Sequence, residues 1–143
     1  QSARKKIKYT LEGINPVSHD WWSYLVISGV GGKIIYDKKP SLLYRQHNNN
    51  QVGTNKSLAG RLSRVKRLFN GEFHRFVMNN ILMLMKYKYT LTKENQEILN
   101  YIYLTNRTNI LLRIYYYLKS KVYRQNFLES VLVFISFIFL KSK

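Results

Sequence analysis

From Ser57 onward the chain reads as one helical pattern after another with almost no breaker residues, and this most limits what it can fold into. Leu58, Leu62, Val65 and Phe69 share one face of a first helix, with Arg61, Arg64 and Arg67 on its other sides. Asn70-Gly71 ends it. Phe73, Phe76, Val77, Ile81 and Leu84 mark a second helix, and a hinge follows around Thr90–Lys93. Glu94–Leu104 makes a third. Leu111, Ile114, Tyr115, Leu118 and Val122 mark a fourth, and Asn126–Leu140 is the last.

Before residue 56 the composition changes to Gly, Pro and short β-prone runs. Ser18 caps a predicted helix whose first turn holds His19 and Asp20. It runs through Ser23–Val30 and stops at Gly31-Gly32, a carboxy-terminal signal. "KIIYD", Lys33–Asp37, is a predicted short strand, and the "KKP" after it a turn. "SLLYRQH", Ser41–His47, is a predicted second strand that enters the polar loop Asn48–Asn55. The expected class is α+β: residues 1–55 give a strand pair and helix, and residues 56–143 a bundle of mostly amphipathic helices.

A length of 143 residues suits one domain or a piece of a larger one. At 45% apolar residues, the chain has enough material for a core. Twenty-four Lys and Arg against seven Asp and Glu give a net charge of +17. The expected partner is therefore negative: nucleic acid, anionic lipid or a phosphorylated ligand. No cysteine is present, which excludes disulfides and thiolate metal sites. Three His and two Asp leave little material for any metal cluster. Arg4, Lys5, Lys6 and Lys8 are followed by no apolar run, so no signal peptide is read. The first residue is Gln1, not Met, and the chain reads as processed or cut from something longer. "VLVFISFIFL", Val131–Leu140, falls short of the roughly twenty residues a membrane span needs. A buried helix or an in-plane membrane anchor fits it better.

Within this frame, "HDWW" invites a chemical reading. An acid in the first turn of a helix favours the macrodipole, and that alone accounts for most aspartates placed like Asp20. Trp21 and Trp22, however, are consecutive, so on a helix their side chains point about 100° apart and cannot both face one core. One ring can anchor the helix while the other covers a sugar or a ligand face. A carboxylate beside such a platform suits a general base. In "YRQHNNN", alternation along a strand sends Arg45 and His47 to the same face. A cation and an imidazole there suit a diphosphate, or a metal that carries one. The plainer reading is an edge strand with solvated polar residues.

The helical region carries its own signal. Residues 56–93 hold nine basic residues and Glu72 as their one acid. A solvated face is the plain account; a surface for anionic lipid or nucleic acid is the functional one. "RIYYYLKSKVYR" interleaves aromatics with charge, which superficially suits RNA stacking. Tyrosines at helical spacing belong more often to a core or a membrane interface. The apolar carboxy-terminal run has no use in RNA binding, so the membrane surface is preferred and nucleic acid is not the expected partner.

The segment "HDWWSYLVISGVGGKIIYDKKPSLLYRQHNNNQVG", His19–Gly53, closely resembles part of the family 2 glycosyltransferases of the rhamnosyltransferase type. The shared order is His-Asp-Trp-Trp, a helix, Gly-Lys, a strand, Pro, and Tyr-Arg-Gln-His before an Asn- and Gly-containing loop. The later helices, including "KVYRQNFLE", look like that family's tail. The resemblance implies the carboxy-terminal, acceptor-side part of a GT-A, inverting sugar transferase, with Asp20 as the base that deprotonates the acceptor hydroxyl. His19 stands where the family has another acid. Trp21 and Trp22 fall at the acceptor side. Arg45 and His47 match an Arg-x-His that faces the donor diphosphate and, in some members, the metal. Gln46 and Asn50 are carried over as substrate-binding positions, Asn50 within a loop that orders over the donor. Asn48 stands where the family commonly has Gly, which alters that loop's freedom.

By the same resemblance the whole enzyme uses a divalent cation, Mg or Mn, and a nucleotide-sugar donor. It moves a sugar, of which rhamnose is the suggested one, to a lipid-linked or polysaccharide acceptor. It works from the cytoplasmic face of a bacterial plasma membrane, held there by an anionic surface. The Asp-x-Asp motif that the family carries upstream is absent from this sequence, so the fragment alone is expected to be inactive. The carboxy-terminal apolar helix could also pair with a second copy. The rival expectations are a non-catalytic, ribosomal-type nucleic-acid-binding protein and a degenerate membrane-binding remnant.

Overall fold

Helix starts in this chain are fixed by short polar side chains that take up N–H groups the helix itself leaves without partners. The structure, a computed structural model, describes residues 3–11, 16, 18–37, 39, 66, 70–124 and 126–140. Among them are six α-helices: α1 (Ala3–Leu11), α2 (His19–Gly29), α3 (Glu72–Met85), α4 (Lys93–Thr105), α5 (Ile110–Lys119) and α6 (Phe127–Phe139). A 3₁₀ turn, Lys88–Thr90, lies between α3 and α4. Ser18 caps α2 through a long contact from Trp21 N–H to Oγ, 3.5 Å. Thr92 Oγ1 accepts from Asn95 N–H at 3.3 Å, Asn109 Oδ1 from Leu112 N–H at 3.0 Å, and Asn126 Oδ1 from Leu128 N–H at 2.9 Å. Each such cap contributes about 1 kcal/mol. The chain enters α3 through Gly71 at φ 75°, a left-handed conformation that favours glycine.

The α+β expectation is corrected: among the described residues there are helices and no strand. Lys33–Asp37, predicted as a strand, runs exposed after the end of α2, with Ile35 78% and Tyr36 85% accessible. A strand exists through its ladder, and β-branched residues alone do not make one. The predicted strand Ser41–His47 lies outside the described residues, as does the predicted helix over residues 57–69 apart from Lys66, which is helical. The other helices fall where their periodicity puts them, except that α5 stops at Lys119, with Lys121 at φ 52°, and leaves Val122 beyond it; α1 is an addition that the sequence reading lacks.

Neighbouring helices pack in chain order: α1 on α2, α3 on α4, α4 on α5, and α5 on α6. Their shared core is Trp22 and Val26 from α2, Met78, Ile81 and Leu84 from α3, Leu91, Leu99 from α4, Tyr117 from α5, and Val133, Phe137 and Ile138 from α6. Helix α5 faces this core in an unusual sense. Its buried residues are Arg113 and Tyr117, while Leu111 and Leu118 are 76% and 64% exposed. The buried guanidinium is partly satisfied: Nη1–H donates to Ile138 O at 2.7 Å and Nη2–H to Thr108 O at 3.2 Å, while its buried Nε makes no hydrogen bond. Those bonds fix the end of α6 against the start of α5.

Candidate functional site

The predicted catalytic segment sits on α2, and both ends of that helix are fastened. At its start, Trp22 is fully buried, and its indole Nε1–H donates to Thr10 Oγ1 of α1 at 3.1 Å. Thr10 in turn donates to Ile7 O at 3.0 Å. At its end, Asn95 Nδ2 of α4 donates to Ser28 O and Gly29 O, 3.2 and 3.1 Å, and Thr92 N–H donates to Gly29 O at 3.0 Å. These donors satisfy carbonyls that a helix leaves free at its carboxy terminus. Gly29 allows the close approach, since a Cβ there would meet Leu91 Cδ2 at 2.9 Å. Gly31, at φ 76°, then turns the chain away.

On this fastened helix the two tryptophans part as their spacing requires. Trp22 goes to the core with no accessible surface and offers no face to a ligand. Trp21 is 46% exposed, and His19 and Asp20 are exposed beside it in the first turn. The outer surface of α2 thus presents an acid, an imidazole and one aromatic ring. Tyr24 adds a second exposed ring one turn further along. Tyr24 escaped the sequence reading, although its spacing of four from Asp20 was the available signal. Arg45, Gln46, His47 and Asn50, the donor-side candidates, lie outside the described residues.

A groove of about 380 Å³ lies behind α2, lined by Lys6, Tyr9, Thr10, Val26, Val30 and Thr90. Val26 follows Trp22 by four residues, whereas Asp20 stands about 200° around the helix from Trp22. The groove and Asp20 are therefore on opposite sides of α2, and the groove is not the place where Asp20 would act.

No group of three or more His, Asp or Glu able to hold a metal ion occurs among the described residues. His47, the expected ligand of a divalent cation, lies outside the described residues. A different polar cluster is buried inside the bundle. His74 Nε2 lies 3.2 Å from Asn106 Oδ1, and its ring meets Phe137 edge-on with centroids 5.1 Å apart. Burial lowers the His74 pKa from its ordinary 6.5; the Asn106 hydrogen bond opposes that shift and the Arg113 charge adds to it. Burial likewise raises the phenol pKa of Tyr117, which packs on both Phe134 and Phe137. Enclosed within the helices, this cluster joins them together.

Over part of its length the chain is similar to a glycosyltransferase. The similar protein is the dTDP-rhamnosyl transferase RfbG of Shigella flexneri, 43% identical over 47 residues. That match covers 33% of this chain and 16% of the length of the transferase. No family model matches the chain, and no solved structure matches it.

Proposed function

We propose that this chain supplies the acceptor-side segment of a sugar transferase, with Asp20 as its general base. The observation that carries this reading is the local similarity to a rhamnosyl transferase, taken with an exposed Asp20 on a helix fastened at both ends. In the proposed step an acceptor hydroxyl approaches Asp20. Its oxygen forms a bond to the anomeric carbon of the donor sugar as its proton passes to the carboxylate. The bond from that carbon to the diphosphate oxygen breaks, and the electron pair leaves with the diphosphate, inverting the carbon. Trp21 stands next to Asp20 as a flat apolar surface on which a sugar ring can rest, and Trp22 keeps the pair in place from beneath. Rhamnose is the sugar this reading favours, with a lipid-linked or polysaccharide acceptor.

The test is sugar transfer by the native gene product from a panel of nucleotide sugars, with and without Asp20→Asn. General-base catalysis contributes roughly 10²–10⁴-fold, so transfer should fall by that order while donor binding survives. The substitution should leave the fold intact, because a first-turn acid contributes only about 0.3–1 kcal/mol through the helix dipole. Transfer at the wild-type rate by the Asn variant would overturn the assignment.

A further inference from the structure

Helices α5 and α6 turn apolar side chains outward, on successive turns of α5 and at the start and end of α6. On α5 these are Leu111, Tyr115 and Leu118; on α6 they are Leu128, Val131 and Phe139. Scattered exposed leucines are ordinary, but a run of them along two successive helices marks an interaction surface. The charge around this run has one sign. No acid occurs from Ile98 through Leu128, whereas Arg107, Lys119, Lys121 and Arg124 are all exposed. The next acid, Glu129, has its Oε2 3.3 Å from Arg124 Nε, so that pair offsets itself and the positive charge of the surface rests on Arg107, Lys119 and Lys121. Lys119 Nζ lies 5.7 Å from the Tyr115 ring centroid, so its alkyl stem follows the apolar surface and its ammonium ends beside it.

We propose that the outward faces of α5 and α6 are an in-plane docking surface for an anionic lipid bilayer. Leucine and phenylalanine side chains enter the acyl boundary while the flanking cations meet lipid phosphates. The helices lie along the surface rather than through it. The thirteen residues of α6 reach about 20 Å, against a hydrocarbon core of about 30 Å. No helix among the described residues is long and apolar enough to cross a membrane. A second copy is the poorer occupant, because each chain carries +17 and pairing would set cations against cations. Nucleic acid is poorer still, since aliphatic leucines at the middle of the face neither pair with phosphate nor stack on bases. This inference stands apart from the transferase reading and survives the failure of that reading.

The test is flotation of the 143-residue chain with vesicles of phosphatidylcholine alone, or of phosphatidylcholine and phosphatidylglycerol in equal parts. The chain should float with the second and hardly with the first. Leu111→Gln and Leu118→Gln should each weaken that binding roughly tenfold, the scale expected for one buried leucine, with helicity unchanged. Because the chain has no cysteine, Leu118→Cys accepts a single environment-sensitive fluorophore. Its emission should shift to the blue on anionic vesicles, and the same label at Glu97→Cys, exposed on α4, should not shift. Flotation that the two leucine variants leave unchanged would overturn the proposal in favour of plain charge attraction. So would a wild-type dimer, or an RNA gel shift, that these variants abolish while the chain fails to float.

Discussion

Thr10→Val isolates the contact that holds α2 on α1. Valine matches threonine in shape, so the change removes the Oγ1 acceptor and the bond it donates to Ile7 O and leaves the packing in place. The indole N–H of Trp22 then keeps no partner at a residue with no accessible surface, and water cannot replace the lost bond. An orphaned buried donor costs about 1–3 kcal/mol, a large part of a marginal stability. Trp22→Phe supplies the control, since it deletes the donor along with part of the ring. In that background Thr10→Val should cost about 1 kcal/mol less, because the threonine then gives up only its bond to Ile7 O. Urea unfolding followed by far-ultraviolet circular dichroism measures all four corners of the cycle. Equal costs of Thr10→Val in both backgrounds would refute the reasoning, since the hydrogen bond would then contribute nothing.

Stability should also depend on pH through His74. Its folded pKa is lowered, so between that value and 6.5 the unfolded chain binds more protons than the folded one. The contribution of His74 is therefore complete above pH 6.5 and declines as the pH falls below it, by up to about 1.4 kcal/mol per pH unit; denaturation midpoints for the wild type and His74→Gln should show the variant with the flatter profile. Arg113→Lys should destabilise by about 1.5–3 kcal/mol despite keeping the charge, because an ammonium cannot reproduce the guanidinium fork that reaches Ile138 O and Thr108 O; thermal melts check this. Leu99→Ala should cost about 2–5 kcal/mol and Leu111→Ala less than about 0.5 kcal/mol, since the first leaves a cavity and the second only removes exposed surface; urea midpoints distinguish them.

The helix ends were legible because they depend on neighbours in the chain. Ser18 before His19, Gly31 after α2, and Asn126 before α6 are local signals, and each lies where its chemistry requires. What could not be read depends on contacts distant in sequence. Lys33–Asp37 has the β-branched residues of a strand, yet among the described residues no strand lies beside it, and propensity cannot supply a ladder. Helix α1 was not legible in the sequence because Arg4, Lys5, Lys6 and Lys8 dominate it and leave no apolar periodicity to see, and the Thr10 bond to Ile7 O lies within it. Helix α5 was legible as a helix, but its buried side was not. Its periodicity selects the face of Leu111, Ile114, Tyr115 and Leu118, yet the structure turns Leu111, Tyr115 and Leu118 outward and buries Arg113 and Tyr117.

The choice of face on α5 falls instead to Arg113. The Arg113 fork reaches two carbonyls, Ile138 O and Thr108 O, and turning the guanidinium inward to meet them turns Leu111 and Leu118 outward. The leucines on the outside are thus a consequence of how the α5–α6 contact is satisfied within. The start of α2 follows the same logic. Trp22 takes the inward position because Thr10 offers its N–H an acceptor there, and the helical turn then directs Trp21 and Asp20 outward together. At both places one buried polar side chain decides which side chains meet the surroundings, an acid with an aromatic ring at one and aliphatic side chains at the other. The proposed catalytic and lipid-binding surfaces therefore each depend on a residue that touches neither ligand.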